Sequence, residues 1–312
     1  MNIIPIVFAY DNRMSMPAAI CIYSLLANAK TDTFYDIFIL SSPDIDLNTT
    51  DLDNVVAEFN NVKVTHRKVS REFEDSFLIR GISCTTYYRL LIPDLIPEYD
   101  KIVYSDVDVI FRDDLSEIFH NTNLNGYILA GVNSINHLDT ENSTYYRNIG
   151  IDPAKTIYAG NLIINSKFIR ETGISERFKA MAHEKLRFQD MDIINIICKN
   201  NIKYLGPEFC LTNYIYNKAV NDPGSISALW SKKEISKALV SGIVHYNGQK
   251  PWNGYCPGFD IWWEYYRKSP VFDQKFYFNF FYNKLDELDT LSLWKRIKIL
   301  VRFFKNGRKH QS

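Results

Sequence analysis

Short apolar runs divided by polar, turn-forming stretches fill the first third of the chain. Ile3-Ile4-Pro5-Ile6-Val7-Phe8-Ala9 has the length and continuity of a strand buried on both faces, and Tyr10-Asp11-Asn12 ends it as a polar loop. Pro17 then opens a helix over 18–27, with Ile20, Tyr23, Ser24 and Leu25 near helical spacing. A strand over 36–40, a helix over 52–59 and a short strand over 62–64 follow. Strand, helix, strand, helix, strand at this spacing predicts an α/β fold class whose first half is a parallel sheet of nucleotide-binding type. Ligands of such sheets sit outside the carboxyl ends of the strands, where Asp11 falls. No glycine-rich phosphate loop follows the first strand, which disfavours a dinucleotide or P-loop site.

The pattern changes character at Ile102-Val103-Tyr104-Ser105-Asp106-Val107-Asp108-Val109-Ile110-Phe111, where two carboxylates interrupt a buried apolar run. Side chains at i and i+2 lie on one face of an extended chain, so Asp106 and Asp108 repel each other unless a cation sits between them. A strand end where two acids merely reach solvent or cap a turn has the same spacing, so the pair gains meaning from its company. Upstream, a helix over 83–91 carries Arg89 among apolar and aromatic neighbours. Such an arginine is commonly a snorkelling surface residue, although this one precedes the acidic strand closely enough to contact an anion. Further strands are expected over 127–132 and 162–165, and Gln189-Asp190-Met191-Asp192 opens a helix through Ile197. Acids in a first helical turn ordinarily serve the helix dipole.

Ile243-Val244-His245-Tyr246-Asn247-Gly248-Gln249-Lys250-Pro251-Trp252 is a strand that ends in histidine and turns through Gly248 and Pro251 to present Lys250. A lone histidine after two apolar residues is usually a core residue. Joined to Asp106 and Asp108 it makes a mixed nitrogen and oxygen site, suited to Mn²⁺ better than to a zinc cage, with Lys250 as a point charge for a phosphate.

The C-terminal part is aromatic and then basic. Helices are expected over 259–268 and 272–282. From Leu293 the residues Leu293, Trp294, Ile297, Leu300, Val301 and Phe304 share one helical face, and Lys295, Lys298, Arg302 and Lys305 the other. That is the period and charge of an interfacial helix lying on an anionic membrane surface, although an apolar face docked on its own domain has the same pattern. The chain of 312 residues holds 36 basic and 36 acidic groups, yet seven of the basic ones and no acid lie in 291–312. The remainder, with 29 basic against 36 acidic groups, is net acidic, which disfavours nucleic acid as a partner. Five scattered cysteines without a Cys-x-x-Cys fit reduced thiols in a cytoplasmic protein. No basic leader precedes the first apolar run, and no stretch reaches the length of a membrane span.

Six ordered motifs carry a resemblance. Val7 to Asn12, Thr85-Thr86-Tyr87-Tyr88-Arg89-Leu90, Tyr104-Ser105-Asp106-Val107-Asp108, Ala159-Gly160-Asn161-Leu162-Ile163-Ile164-Asn165, Gln189 to Asn195 and His245 to Trp252 together resemble glycosyltransferase family 8. The likeness is strongest to its bacterial lipopolysaccharide α-galactosyl- and glucosyltransferases and covers roughly residues 3–265. It implies a GT-A fold with a catalytic domain over 1–265, while the pattern of the C-terminal part adds an aromatic helical extension packed on it over 266–290 and a membrane-association helix over 291–312. It also implies a retaining transfer of glucose or galactose from a UDP-sugar donor to a hydroxyl of a glycan or lipid-linked acceptor. The cofactor implied is Mn²⁺, with Mg²⁺ as the alternative, and the location the cytoplasmic face of a bacterial membrane.

Carried over by motif, Asp106, Asp108 and His245 match the metal ligands. Ala9 and Asp11 match contacts to the uracil, Arg89 a donor contact, Gly248 and Lys250 the loop closing on the diphosphate, and Asp190 the carboxylate that bonds the donor hexose. Three positions depart from the pattern. Met191 replaces a Gln between two acids, Tyr158 replaces an Asn, and Asn133 stands where an Asp usually touches donor or acceptor. Without an amide at 191, front-face attack with a UDP oxygen helping to deprotonate the acceptor is the expected route. Two rival readings remain: a non-catalytic nucleotide-sugar-binding protein, suggested by those departures, and a phosphohydrolase with Asp106 as nucleophile and Asp108 as general acid. A full α/β half ahead of the Asp-x-Asp disfavours the second.

Overall fold

A computed structural model describes residues 2–79 and 83–306, in two compact units, Met1–Val271 and Phe272–Ser312. In the first unit the early apolar runs become β1 (Asn2–Ala9), β2 (Thr33–Ser41) and β3 (Val62–Lys68), joined through the helices Ser15–Ala27 and Thr50–Val56. β1 and β2 run parallel in register from Asn2↔Thr33 to Ala9↔Leu40, and β3 pairs parallel outside β2. At this sheet edge Lys63, Arg67 and Lys68 are exposed, the kind of charge that discourages strand addition.

β4 (Lys101–Ser105) lies on the other side of β1, also parallel. β6 (Leu129–Asn133), β7 (Ile157–Asn165) and β8 (Ile202–Leu205) complete seven strands in the order β3-β2-β1-β4-β7-β6-β8. β7 is antiparallel to both neighbours, so the sheet is parallel only in its first half and beyond β7. The order reverses between β1 and β4, which opens a crevice at their carboxyl ends. A second sheet holds β5 (Val109–Phe111), β10 (Ile243–His245) and β9 (Leu211–Thr212), with β10 antiparallel to β5 and parallel to β9. The chain therefore leaves the large sheet at Ser105 and joins the small one at Val109, and Asp106 and Asp108 lie in the crossing.

The core under the large sheet is made of Val7, Phe38, Ile102, Tyr104, Leu162, Ile164, Ile193 and their neighbours, all buried. Each such aliphatic or aromatic side chain contributes about 1.5–3 kcal/mol through area removed from water. Some expectations shift. The helix expected over 83–91 is a run of tight 3₁₀ turns, Cys84–Leu91. The strand expected over 162–165 is the last part of a nine-residue strand, because Gly160 and Asn161 interrupt its apolar pattern. Asn161 is nonetheless fully buried and donates to Ser105 Oγ at 2.9 Å, tying β7 to β4.

The helix Phe259–Lys268 continues through residue 265 and buries Trp262, Trp263 and Tyr266. In the second unit Gln274–Asp289 and Leu293–Asn306 are helices. On the latter Leu293, Trp294 and Phe304 are more than two-thirds exposed. The end of the basic segment, residues 307–312, lies outside the described residues. Among the described residues no helix is long and apolar enough to cross a membrane.

Candidate active site

The crossing between the sheets brings three ligand groups together. His245 ends β10 opposite Val109, and the amide of Tyr246 donates to the carbonyl of Asp108 at 2.9 Å, so the imidazole is carried to the two acids by the small sheet. Its Nε2 lies 3.2 Å from Asp108 Oδ1 and 3.6 Å from Asp106 Oδ2. One ligand atom from each of the three residues falls within 4.8 Å of the others. Gly160 on β7 borders them so closely that a Cβ there would stand 2.1 Å from His245 Cε1 and 2.7 Å from Asp106 Oδ2. Two hard oxygen ligands and an imidazole at this separation fit a divalent cation of the Mn²⁺ or Mg²⁺ kind.

The charges around the three residues are cation-seeking. Burial alone would raise the Asp108 pKa, but Lys250 and His245 outweigh it and hold that carboxyl well below the usual range. For His245 burial pulls downward, and the Asp108 carboxylate with the Cys210 contact reverses this, lifting the imidazole to about 10. Lys250 Nζ bonds the Asp108 carboxylate and the Tyr246 carbonyl. His245 and Lys250 thus both bear on the carboxylate of Asp108.

Arg89 is the centre of a second network. Its side chain is 7% exposed and does not snorkel. It reaches Asp106 Oδ1 at 2.8 Å and Asp190 Oδ2 at 3.1 Å, donates to the carbonyls of Thr86 and Ala159, and lies 4.4 Å over the Tyr104 ring. Tyr104 donates to the same Asp106 oxygen at 2.7 Å, and Thr86 Oγ1 donates to Asp190 Oδ1 at 2.6 Å. Burial raises the Asp190 pKa, against the pull of Arg89 and Thr86. The tight turns of Cys84–Leu91 project Thr86 and Arg89 together, which an amphipathic-helix reading of that segment does not show.

Asp190 begins the helix Asp190–Cys198 after a strained corner. Gln189, with φ 48° and ψ −117°, holds a conformation that side-chain-bearing residues rarely adopt, at the second position of a turn closed by Met191 N–H to the Phe188 carbonyl. Its amide donates to the Phe77 carbonyl at 3.2 Å. Asp192, fully buried, accepts from Phe188 N–H at 2.8 Å and from Tyr145 at 2.6 Å, and burial raises its pKa. Asn195 bonds both the N–H and the carbonyl of Ile157, docking the helix on β7.

Thr86, Arg89, Asp106, Asp108, Asp190 and His245 line one cavity of about 470 Å³, bounded also by Met191, Tyr158, Tyr214, Asn136, Asp139 and Asn142. Arg89, Asp106, Asp108, Asp190, His245 and Lys250 form one connected set of charges. Ala9, Asp11, Gly248 and Lys250 are not on the lining of that cavity, Asp11 paired with Arg13 at 2.7 Å and Lys250 joined to the cavity through Asp108. Asn133 also lies outside it, its amide bonded to the Ala154 carbonyl and the Ile135 N–H. Thr86, Tyr104, Gln189 and Gly160 are parts of the site to which sequence reasoning gave no role, although all four fall inside the quoted stretches.

The large sheet, its crevice and the small sheet are those of the GT-A fold, as solved relatives bear out. The bifunctional glycosyltransferase WbbM superposes with a TM-score of 0.70 at 21% identity, over 88% of this chain and 51% of that one. The galactosyltransferase LgtC, solved with donor and acceptor sugar analogs, gives 0.67 at 23% identity over 87% and 98%. In sequence, a putative glycosyltransferase of Haemophilus influenzae is 28% identical over 257 residues, 80% of this chain and 73% of that protein. The chain belongs to glycosyl transferase family 8, whose family model matches residues 5–256.

Proposed function

We propose that this protein is a retaining, metal-dependent glycosyltransferase that moves a hexose from a UDP-sugar to a hydroxyl of a glycan or lipid-linked sugar. The observation that carries the reading is the convergence of Asp106, Asp108 and His245 within 4.8 Å in a cavity also lined by Asp190, with Lys250 bonded to Asp108 from beyond the lining. Asp106, Asp108 and His245 would hold Mn²⁺ or Mg²⁺, which as a Lewis acid supplies positive charge beside a diphosphate. Lys250 meets the charge that grows on the departing UDP once it leaves Asp108 for the phosphates. Asp190 accepts a hydrogen bond from a hydroxyl of the donor hexose, and its negative charge favours the oxocarbenium-like state. Arg89 keeps Asp106 and Asp190 apart in charge and fixed in place. The bond from the anomeric carbon to the UDP oxygen breaks, the acceptor oxygen bonds the same face, and the acceptor proton passes to the departing UDP oxygen.

Asp108→Asn tests the reading. UDP should raise the melting temperature of the wild type far more with Mn²⁺ than with EDTA, because a ligand that binds only the native state stabilises it by mass action. The variant should lose that difference, and a metal effect that survives the substitution sinks the assignment. Met191 and Tyr158 on the cavity wall favour the alternative of a nucleotide-sugar binder without turnover. Transfer assays with UDP-glucose and UDP-galactose separate the two.

The helix Leu293–Asn306 is proposed to hold the enzyme on an anionic membrane surface. Trp294, Leu300 and Phe304 supply apolar contact, and Lys295, Lys298 and Arg302 are exposed. Each such cation is worth about 1 kcal/mol at an anionic leaflet. Removal of residues 291–312 should release the protein from anionic vesicles and spare transfer to a soluble acceptor. Co-sedimentation of the truncated chain with vesicles would assign the helix another role.

A further inference from the structure

A histidine that ligates a cation through Nε2 carries its proton on Nδ1, and the partner of that proton orients the ring and sets its basicity. In metal sites the partner is ordinarily a carboxylate, a backbone carbonyl or water. At His245 it is a thiol. Cys210 Sγ lies 3.4 Å from Nδ1, whereas Asp106 and Asp108 lie nearest the other ring nitrogen, Nε2. Cys210 is fully buried, and its place is fixed by the fold. It closes the turn Pro207–Phe209 and immediately precedes β9, whose Thr212 pairs with His245. The Gly160 backbone borders the Cε1 edge. The imidazole is therefore located on three sides, with a sulfur as its hydrogen-bond partner at Nδ1.

We propose that Cys210 is the positioning residue of the metal-binding histidine, holding His245 with its Nδ1 proton on sulfur and its Nε2 lone pair toward Asp106 and Asp108. The inference rests on the metal reading above. Sulfur is a weak acceptor, so the contact orients the ring and adds less basicity than a carboxylate would.

The test uses the full-length protein and Mn²⁺ alone, with binding followed by loss of the free-ion electron paramagnetic resonance signal. Cys210→Val keeps an apolar side chain of similar volume and removes the acceptor. It should weaken Mn²⁺ binding by about ten- to a hundredfold, the range of second-layer partners of metal ligands, with the circular dichroism spectrum unchanged. Cys210→Ser restores a hydrogen-bonding atom and should recover most of the loss. A folded Cys210→Val that binds Mn²⁺ as the wild type does overturns the proposal and makes Cys210 a packing residue. In that case loss of Mn²⁺ in Asp108→Asn leaves the metal reading standing. A wild type that binds no Mn²⁺ removes both. If Cys210→Val does not fold, ¹⁵N-histidine resonances of the wild type with Mg²⁺ decide. A protonated, slowly exchanging Nδ1 at His245 is expected, and an unprotonated Nδ1 overturns the assignment.

Discussion

Two pairs of aspartates in this chain have the same spacing and opposite fates. Asp106 and Asp108 flank Val107 between two strands, and Asp190 and Asp192 flank Met191 in the first turn of a helix. On extended chain two residues apart means one face, and both acids of the first pair meet at His245 Nε2. On a helix the same step turns the side chain by about 200°, so the second pair divides. Asp190 points to Arg89 and Thr86 in the cavity, while Asp192 turns inward to Tyr145 and the Phe188 amide. Lys250 and His245 lower the Asp108 pKa against the effect of burial, whereas burial raises those of Asp190 and Asp192. Identical motifs acquire their chemistry from the backbone that bears them.

Among the described residues Arg89 is the one side chain bonded to both pairs, and Arg89→Met is expected to have the largest effect. Removing one partner of a buried ion pair leaves uncompensated charge and costs about 3–5 kcal/mol. Chemical denaturation of the metal-free protein should show a loss of that size. A loss within the range of an exposed pair, about 1 kcal/mol or less, would mean that the two pairs are held independently.

Titration sharpens the comparison at smaller scale. The folded pKa of Asp108 lies below its unfolded value, so its contribution to stability is present above about 3.9 and is lost as pH falls through the folded value. That of Asp192 is raised, so its contribution is present at low pH and is lost as pH rises from about 3.9 through the folded value. In EDTA, the stability of the wild type minus that of Asp108→Asn should therefore rise with pH across the acid range. The same difference taken with Asp192→Asn should fall. Curves of equal slope would show that the environments of the two pairs do not differ as described.

The smallest effect is expected at Met191, between the acids of the second pair. Met191→Gln restores an amide at the cavity wall, and front-face transfer requires none. Initial rates with UDP-glucose and UDP-galactose should change modestly. An inactive wild type rescued by Met191→Gln would instead make an amide there part of the chemistry.

Much of this was legible in contiguous residues. The apolar runs announced β1 to β3 and their helices, the interrupted run at Asp106 and Asp108 marked a cation-seeking strand end, and the stripe from Leu293 marked an amphipathic helix. Those signals are local, because strand and helix periods are written in residues two to four apart. The strand expected over 127–132 starts at Leu129, and the 3₁₀ turns at Cys84–Leu91 resembled a helix, because boundaries and helix type depend on packing beyond the segment. Other features had no local signal at all. Arg89 is an ordinary surface arginine by pattern until Asp106 and Asp190 close on it, and Cys210 is one of five scattered cysteines until β9 pairs with β10. Gln189, at its strained corner, bonds the carbonyl of Phe77, 112 residues away. By itself the sequence determined the main elements of the first sheet half, its parallel character and the residue types of the site. Only the tertiary structure decided which of them meet, since Lys250 and Asp108 lie 142 residues apart and no period along the chain records a contact made across the fold.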